Sequence, residues 1–349
     1  MRVVVVGATG NVGTSLLESL RSETEVEEIV ALARRPPASQ FPRTTFVSAD
    51  IARTDLVPLF RGADAVVHLA WLIQPGRNES ITGAVNVDGS RRLFKAVVDA
   101  SVPLLVYASS VGAYSPGPKD HFVDESWPTD GIASSFYSRH KAMLERDLDL
   151  LEREQPDLRV IRMRPGLIFK AQAATEIRRL FAGPLLPGRI VTPKAIPVVP
   201  DTPGLRFQAV HSHDVGDAYR QALLSSARGA FNIAADPAIG PPELARVLRA
   251  RPVPVSARLL RGAAALTYAL RLQPSEPGWL DMALSVPLMD TFRARTELGW
   301  APRHDALETL GELLRGLQRG SDYPTPPLAR ATSGPMRIRE LLTGVGGRV

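Results

Sequence analysis

The first half of the chain alternates short apolar runs with stretches of helical spacing. Residues 3–6 form an apolar, β-branched run that ends in glycines, and apolar residues recur at helical spacing over 12–20. Further short apolar runs, separated by helical segments or loops, cover residues 28–33, 45–47, 65–69, 104–107 and 160–163. This order predicts an α/β fold in which a doubly wound parallel sheet carries helices on both faces.

The regular alternation stops after Pro165, which predicts a second and smaller lobe. Residues 170–203 are rich in proline and glycine, and residues 237–299 have the pattern of several short helices. Between them, two strands and a helix within about 205–235 are expected to return to the main domain. The predicted boundaries are 1–168 for the main domain, 169–204 and 236–325 for a mainly helical C-terminal lobe, and 326–349 for a tail without periodicity.

Composition narrows the range of partners. The net charge is +6, but the arginines and lysines are dispersed among acidic residues, without a basic stripe interleaved with aromatics. We therefore expect no nucleic-acid partner. The absence of cysteine excludes disulfides and thiolate catalysis. No apolar run approaches the roughly 20 residues of a membrane span, and the opening run is too short for a signal peptide. We expect a cytoplasmic protein with no membrane partner.

A glycine-rich turn follows the first predicted strand, in the pattern Gly7-x-x-Gly10-x-x-Gly13. Glycine permits a tight turn and lets the backbone approach a pyrophosphate, whose charge then faces the N–H groups at a helix start. A glycine turn without a ligand is the alternative, but strand, loop and helix all fit a dinucleotide site. The candidate cofactor-binding residues here are Gly7, Thr9, Gly10, Asn11, Val12 and Gly13.

The end of the second predicted strand bears on the choice of nicotinamide. An acidic residue there would bind the adenosine ribose and exclude a 2′-phosphate. This chain instead has Arg34 and Arg35, whose guanidinium groups suit a phosphate monoester. The sequence therefore favours NADP(H) over NAD(H), with an ordinary surface loop as the alternative interpretation of the two arginines.

Tyr137 and Lys141 are four residues apart, a spacing that places both on one helix face. Hydride transfer to a carbonyl leaves an alkoxide that must be protonated, and Tyr137 is the candidate donor. A nearby Lys141 ammonium is expected to lower the pKa of the phenol. Ser110, at the end of a predicted central strand, would polarise the same carbonyl. The alternatives are a core tyrosine with a solvated lysine, and a serine that merely ends a strand.

These features recur in order with others that together resemble the extended short-chain dehydrogenase/reductase family, in its epimerase/dehydratase-like branch with a Rossmann-type sheet. The further landmarks are Ala49-Asp50-Ile51, His68-Leu69-Ala70, Asn86-Val87-Asp88-Gly89, Tyr107 to Tyr114, Arg164-Pro165-Gly166, Ala209 to Val215 and Glu297 to Pro302. The resemblance spans roughly residues 1–318. It also favours Ser110 over Ser109, because Ser110 stands four residues before Tyr114, where the family places its catalytic Ser or Thr.

The resemblance implies further roles around the cofactor. Asp50 and Ile51 would address the adenine, the Leu69-Ala70 backbone would line the cleft, and Lys141 would bind the nicotinamide ribose. Asn86 would support the active site from a central helix, and Pro165 with Gly166 would form the loop against the nicotinamide. The alternatives are a turn cap for Asp50, core packing for Leu69 and Ala70, a helix-surface amide for Asn86, and a helix-breaking turn at Pro165-Gly166. The family likeness also suggests a homodimer through the helices that carry Asn86 and Tyr137.

Two other groups of residues rank lower. His211-x-His213-Asp214 has metal-ligating residue types, but it matches a family segment in which Asp214 starts a helix as its N-cap, so we expect no metal. Apolar side chains at strand ends are more often core than lining for a lipophilic pocket. Those considered are Trp71, Leu72, Ile73, Phe169, Phe181, Leu185 and Leu186.

The sequence thus predicts an NADP(H)-dependent oxidoreductase that interconverts a ketone and a secondary alcohol on a small-molecule substrate, held between Ser110, Tyr137 and the C-terminal lobe. One alternative is a nucleotide-sugar epimerase with tightly bound NAD. The arginine pair disfavours NAD, and Arg164-Pro165-Gly166 lacks the asparagine that many sugar-nucleotide members place nearby. A second alternative is a non-catalytic NADP(H)-binding redox sensor, although such relatives usually lose the Tyr/Lys pair.

Overall fold

The computed structural model describes residues 1–38, 40–73, 79–181, 196–273 and 275–329. The segment 182–195 of the predicted lobe, with Leu185 and Leu186, and the tail beyond residue 329 lie outside the described residues. The strands, in chain order, are β1 (Arg2–Val6), β2 (Glu28–Ala33), β3 (Thr44–Ser48), β4 (Ala65–His68), β5 (Leu104–Ala108), β6 (Phe122–Val123), β7 (Arg159–Pro165), β8 (Leu167–Phe169), β9 (Val198–Asp201), β10 (Ala209–His211), β11 (Gly229–Ile233), β12 (Arg251–Pro254) and β13 (Leu288–Met289).

Helices alternate with the first strands and then dominate the C-terminal part of the described chain. In chain order they are α1 (Asn11–Ser19), α2 (Val57–Phe60), α3 (Glu79–Gly83), α4 (Gly89–Asp99), α5 (Phe136–Glu154), α6 (Ala174–Phe181), α7 (Ser212–Leu224), α8 (Pro241–Leu248), α9 (Ala257–Ala269), α10 (Pro277–Ser285), α11 (Phe292–Glu297) and α12 (Ala306–Arg319). Helices α3 and α4 are joined by a π-helical segment, Ala84–Asp88.

Seven of these strands form one parallel sheet in the order β11-β7-β5-β4-β1-β2-β3. The order turns back at β1, because the chain runs outward through β2 and β3 and then crosses to β4 on the other side. Ligands bind at such reversal points, outside the carboxyl ends of the strands. The predicted Rossmann-type, doubly wound sheet is therefore confirmed.

Helices cover both faces of this sheet, and β1 shows why its sequence is continuously apolar. Val3 and Val5 pack into a core with Leu16 of α1 and Tyr219 of α7, whereas Val4 and Val6 pack into the opposite core, which includes α2, α4 and α5. A strand buried on both faces has no polar side in its sequence. The two layers fix the ends of β1, β4 and β5 side by side.

The segments predicted to return to the main domain have different partners. Strand β11 adds to the sheet edge beside β7, and α7 packs on α1 so closely that a Cβ at Gly216 would lie 2.6 Å from the carbonyl carbon of Ser15. Strand β10 instead pairs with β8 in a separate two-stranded sheet. The pairs β9–β12 and β6–β13 are also separate small sheets. The division into two domains stays a prediction.

Candidate active site

The glycine loop between β1 and α1 is a tight turn packed against neighbouring backbone. Gly7 has φ +90°, and a Cβ on it would lie 2.6 Å from the amide nitrogen of Ala70. A Cβ on Gly13 would lie 2.4 Å from the carbonyl oxygen of Gly7. Helix α1 begins after Gly10 without a side-chain cap, so its first N–H groups face outward at the positive end of the helix dipole. These residues fit the pyrophosphate of a dinucleotide.

The other predicted residues of the glycine loop, Thr9, Asn11 and Val12, contact neighbouring parts of the chain. Thr9 is buried, and its carbonyl oxygen accepts a hydrogen bond from Thr325 Oγ1 at 2.8 Å. Asn11 donates from Nδ2 to the Ile168 carbonyl at 3.3 Å, while its buried Oδ1 has no partner among the described residues. Val12 packs against the core beneath the loop. An orphaned amide oxygen at a helix start is consistent with a site that receives a ligand.

Lys170 lies under the first turn of α1, a place that no pattern in the sequence indicated. Its ammonium donates to the Asn11 carbonyl at 3.1 Å, to Thr14 Oγ1 at 2.8 Å and to Ser15 Oγ at 2.9 Å. Burial lowers the pKa of Lys170 to about 8. A buried cation therefore holds the helix start that follows the glycine loop.

Arg34 and Arg35 lie at the end of β2, beside the glycine loop. The amide of Gly7 donates to the Leu32 carbonyl at 2.9 Å, which ties the loop to this strand end. Both arginine side chains are exposed. An exposed pair of guanidinium groups next to the loop can take an anionic group of the cofactor.

Asp50 and Ile51 follow β3 and have mainly structural contacts. Asp50 Oδ1 accepts a hydrogen bond from the Ala52 amide at 3.0 Å, so its carboxylate caps a turn. Ile51 is buried, and a Cβ on Gly89 would lie 2.9 Å from its Cγ1. The turn-cap alternative for Asp50 thus describes its contacts, and a role of either residue toward adenine stays a prediction.

Asn86 holds the loop after β4. Its Oδ1 accepts from the Leu72 amide at 2.7 Å and its Nδ2 donates to the Leu72 carbonyl at 3.1 Å. Asn86 is 1% exposed and belongs to the π-helical segment, a distortion that is frequent at functional sites. The helix-surface alternative for Asn86 is therefore wrong. The backbone of Leu69 and Ala70, in the same loop, lies directly against Gly7.

Pro165 and Gly166 make the corner where β7 ends. Pro165 is buried, and a Cβ on Gly166 would lie 2.6 Å from the carbonyl oxygen of Gln208. Gly166 also donates from its amide to the Ile233 carbonyl at 3.0 Å. The corner is thus fixed by close backbone contacts, and its approach to a nicotinamide stays a prediction.

Ser110 and Tyr137 are brought together where β5 ends and α5 begins. Ser110 Oγ accepts a hydrogen bond from the Gly112 amide at 3.0 Å and caps a short 3₁₀ turn. Ser138 Oγ donates to the Gly112 carbonyl at 2.5 Å, which ties this turn to the first turn of α5. A Cβ on Gly112 would lie 2.8 Å from Cε1 of the Tyr137 ring, and the nearby Ser110 hydroxyl acts to lower the pKa of Tyr137. The structure therefore unites two of the three predicted catalytic side chains.

The pKa of Tyr137 differs from the expectation drawn from the sequence. Burial raises it to about 12, and the nearby Ser110 hydroxyl opposes this rise. The Lys141 ammonium lies 6.0 Å from the centre of the Tyr137 ring. The expected lowering by Lys141 is wrong for this structure, because desolvation of the buried phenolate is the largest cause of the shift.

Lys141 is buried and directed toward the strand end and Trp71. Its Nζ donates to the Ala108 carbonyl at 2.6 Å and lies 3.5 Å from the centre of the Trp71 ring. Burial lowers the pKa of Lys141 well below its ordinary value, and the negative charge of Glu145 acts in the opposite direction. The lysine is neither solvated nor remote from the phenol, unlike the alternative considered from the sequence.

Glu145, one turn beyond Lys141 on α5, anchors a buried ionic network behind the site. The side chain is fully buried and accepts from Ser109 Oγ at 2.5 Å and from Arg164 Nε and Nη2, each at 2.9 Å. Arg162 Nη1 also donates to it at 3.0 Å. These cations hold the pKa of Glu145 down, at about 2, against the effect of burial. The sequence analysis did not identify this network.

Two tryptophans flank Tyr137: Trp71, which was considered from the sequence but ranked lower, and Trp279, which no pattern indicated. The Trp71 ring meets the Tyr137 ring edge-on, with centroids 5.7 Å apart, and the Trp279 ring lies at 4.9 Å. Trp279 and Met282 come from α10 and form an apolar cluster with Ile132 and Val286, against which Ile73, Val111 and Tyr137 pack. Of the apolar residues weighed from the sequence, Trp71 and Ile73 thus reach the site, whereas Phe169 lies in a different core.

The histidines near α7 form a polar cluster of their own. His211, not Asp214, is the N-cap of α7, and its Nδ1 accepts from the His213 amide at 3.2 Å. The carboxylate of Asp214 instead accepts from the amide and ring of His304, because it lies inside the first turn. Within the described part of the chain, no group of three or more metal-ligating side chains is arranged to hold an ion.

None of the described helices is both long and apolar enough to span a bilayer.

Comparison with protein families gives a match over residues 3–234 to the model described as the NAD dependent epimerase/dehydratase family. The uncharacterized protein Rv2047c of Mycobacterium tuberculosis is 28% identical over 317 residues, which are 89% of this chain and 29% of that protein. The chain thus spans less than a third of that relative. Sterol-4-alpha-carboxylate 3-dehydrogenase ERG26, decarboxylating, of Saccharomyces cerevisiae is 33% identical over 107 residues, which are 31% of this chain and 30% of that protein.

Solved structures show the same fold at low identity. The crystal structure of gox2253 superposes with a TM-score of 0.70 at 21% identity and covers 92% of this chain and 99% of its own. The Thermus thermophilus UDP-glucose 4-epimerase complex with NAD has a TM-score of 0.67 at 21% identity, with 92% and 100% covered.

Proposed function

Because the chain belongs to the NAD-dependent epimerase/dehydratase family, we propose that it is an NADP(H)-dependent oxidoreductase that interconverts a ketone and a secondary alcohol. The observation that carries this proposal is that the turn capped by Ser110 packs against the Tyr137 ring, with Lys141 one turn further along the same helix. Two hydroxyl groups at one strand end can hold a single carbonyl oxygen from two directions.

The chain's residues divide into those that hold the cofactor and those that act on the substrate. The glycine loop and the start of α1 would bind the pyrophosphate, and Lys141 would bind the nicotinamide ribose. When bound, the nicotinamide supplies or accepts the hydride. Ser110 would orient the substrate carbonyl and stabilise negative charge on its oxygen.

Tyr137 has the protonation state that reduction requires. Since burial raises its pKa to about 12, the phenol is protonated at neutral pH and can donate its proton to an alkoxide. Burial lowers the pKa of Lys141 well below its ordinary value, and the negative charge of Glu145 opposes this lowering.

The test of this mechanism is Tyr137→Phe, measured as NADPH-dependent reduction of an accepted ketone. We expect the variant to lose roughly 100- to 10,000-fold in kcat, the usual contribution of a positioned proton donor. NADPH affinity, measured by fluorescence titration, should stay within a few-fold of wild type. Tyr268→Phe, on α9, is the matched control. Undiminished turnover by Tyr137→Phe would contradict the mechanism.

The preference for NADP(H) rests on the two exposed guanidinium groups at the end of β2. The Thermus thermophilus epimerase structure contains NAD, which favours NAD(H) instead. We expect wild type to use NADPH at least ten-fold better than NADH by kcat/KM, and the double variant Arg34→Ser/Arg35→Ser to lose most of this preference. Arg258→Ser, an exposed arginine on α9, is the control. Equal use of both cofactors by wild type would remove the preference from the proposal.

A nucleotide-sugar epimerase is the second candidate, favoured by the solved relative of that activity. The yeast relative, a 3-dehydrogenase by name, favours the oxidoreductase. An epimerase retains its cofactor between the oxidation and the reduction. Release of NAD, and no NADP, from the denatured purified protein would support the epimerase, whereas release of neither would support exchangeable NADP(H).

A homodimer through the helices that carry Asn86 and Tyr137 is also part of the proposal. Sedimentation equilibrium of the purified chain measures it directly, and a monomer at micromolar concentration would remove this part without affecting the chemistry. A cytoplasmic location likewise stays a prediction.

A further inference from the structure

The Tyr137 ring lies between two indole rings that come from distant parts of the chain. Trp71 follows β4 and meets Tyr137 at an interplanar angle of 75°, while Trp279 on α10 is inclined by 33°. Both contacts are within the range in which aromatic rings attract each other. The proton donor of the proposed reaction is therefore enclosed by flat apolar surfaces on two sides.

The surroundings of Trp279 are apolar and adaptable. Met282 lies on the same face of α10, and its sulfur is 3.0 Å from the position of a Cβ on Gly112. Ile132 and Val286 complete the buried part of this cluster. A methionine thioether fits irregular apolar ligands because it is unbranched and polarizable. Desolvation at this place also explains why the pKa of Tyr137 is raised.

The cations beside this cluster already have partners. Arg139 on α5 donates to Glu79 and to the Ala133 carbonyl, each at 2.6 Å. Arg261 on α9, the helix packed against α10, donates to both carboxylate oxygens of Asp281 at 2.8 and 3.0 Å. Recognition of a diphosphate uses charge-assisted contacts from such groups. These two arginines are committed to other contacts, which disfavours a nucleoside diphosphate.

The indole of Trp71 adds one polar feature to this apolar surface. Its Nε1 is buried and has no hydrogen-bond acceptor among the described residues. An indole N–H is a donor only, and buried donors normally have a partner. An oxygen of a bound ligand would satisfy it.

We propose that Trp71, Trp279 and Met282 form the substrate site, and that it takes a flat, uncharged, fused-ring ketone or secondary alcohol. The ring system lies against the two indoles, the carbonyl oxygen meets Ser110 and Tyr137, and the N–H of Trp71 donates to an oxygen of the ligand. In reduction, the carbonyl carbon gains one hydride from NADPH and its oxygen gains one proton from Tyr137, which leaves the alcohol and NADP⁺. This inference rests on the proposed function and specifies its substrate class.

The experiment compares three probes: 2-decalone, a fused-ring ketone; dihydroxyacetone, a small polar ketone; and UDP-glucose. We expect kcat/KM for NADPH-dependent reduction to be at least about 100-fold higher for 2-decalone than for dihydroxyacetone, because burial of only a few extra methylene groups is sufficient for this ratio. UDP-glucose carries secondary alcohols and no ketone, so it is supplied with NADP⁺ or NAD⁺ as the oxidant, and it should be neither oxidised nor inhibitory to 2-decalone reduction. Tryptophan fluorescence measures binding of each probe independently of turnover.

Variants assign this selectivity to the two indoles. Trp279→Ala should lower the 2-decalone to dihydroxyacetone selectivity ratio at least about ten-fold, and Trp279→Phe, which keeps an aromatic ring, should lower it less. Trp127→Phe is the matched control, since Trp127 packs against Tyr114 in a separate cluster, and it should leave the ratio unchanged. Thermal melts establish that each variant is folded. If Trp279→Ala is unfolded, the ratio for Trp279→Phe decides.

The outcomes separate this inference from the proposed function. Tyr137-dependent turnover that prefers dihydroxyacetone, or UDP-glucose as substrate, overturns the fused-ring site. Binding of 2-decalone that Trp279→Ala weakens, without turnover of any ketone, supports the site and overturns the proposed reaction. Absence of both binding and turnover overturns both, and an unchanged selectivity ratio in the Trp279 variants overturns the assignment to the indoles.

Discussion

The glycine loop and the Tyr137 region lie at the ends of strands in one sheet, but they are built by different means. The loop depends on backbone contacts, such as those of Gly7 with Ala70 and of Gly13 with Gly7, in which any side chain would collide. The Tyr137 region depends on side-chain contacts. Two indole rings pack against the Tyr137 ring, and the ionic network of Glu145 lies further along the same helix. Steric fit between backbone atoms determines the structure of the loop, whereas buried ion pairs and desolvation determine the properties of the Tyr137 region.

The largest effect that tests this difference is expected for Glu145→Gln. The substitution leaves Arg164 buried without its carboxylate partner, whereas Arg162 keeps Asp149 and Glu152, and removal of one partner from a buried ion pair costs about 3–5 kcal/mol. Glu152→Gln, on the same helix, is the matched control and should cost under about 1 kcal/mol, because its carboxylate is partly exposed. Urea unfolding measures both, and similar costs for the two variants would remove the distinction drawn for the Tyr137 region.

The same carboxylate predicts a pH dependence of stability. Its pKa is about 2 in the folded protein and 4.5 as the reference value, so the folded state favours the charged form. The stabilisation is complete above pH 4.5 and is lost as the pH falls from 4.5 toward 2. Glu145→Gln should therefore show a flatter decline of unfolding free energy in this window than wild type. Parallel declines would contradict the assignment.

A smaller effect is expected at the loop, from Gly13→Ala. Its Cβ would lie 2.4 Å from the Gly7 carbonyl oxygen, so the loop must shift, at a cost of about 1–3 kcal/mol in unfolding free energy. NADPH affinity should fall at the same time. Gly10→Ala meets only the Gly7 oxygen, at 3.6 Å, and should fold normally. A loss of NADPH affinity in Gly10→Ala would then report the approach of the cofactor, whereas unaltered folding of Gly13→Ala would contradict the steric account.

The smallest effect is expected for Lys170→Met, which removes the buried ammonium near the loop. Burial lowers the pKa of Lys170 from 10.5 to about 8, so the unfolded chain binds more protons between these values. Lys170 should therefore make wild type gain stability as the pH rises from 8 to 10.5, and Lys170→Met should lack this gain. At pH 7 we expect a difference under about 1 kcal/mol, because Thr14 and Ser15 keep other hydrogen bonds. Lys95→Met, an exposed lysine, should follow wild type across this range.

The sequence was a good guide to the sheet and to the glycine loop. Strand β2 covers the predicted residues 28–33, and α1 starts one residue before the predicted helix. Local sequence patterns predict these elements, because a strand buried on both faces is continuously apolar and a tight turn needs glycine. The spacing of Tyr137 and Lys141 is similarly local, since it depends on one helix.

The surroundings of Tyr137 could not be predicted in the same way. Trp279 reaches the Tyr137 ring, which Trp71 also contacts, only because α10 folds back over the strand ends, and no local pattern encodes that approach. The pKa of Tyr137 has the same origin, since its burial depends on these contacts. Glu145 lies on the same helix as Lys141, but its partners Arg162 and Arg164 come from β7. Desolvation and ion pairing are tertiary properties, whereas residue spacing is not.

The bond from Thr325 to the Thr9 carbonyl joins residues 316 positions apart. Ribosomes add about 5–20 residues per second, so Thr9 leaves synthesis roughly 15 to 60 s before its partner. During that interval the sheet and α1 can form while the outer side of the glycine loop is still hydrated. The contacts of the glycine loop are therefore completed only after the segment that carries Thr325 has been made.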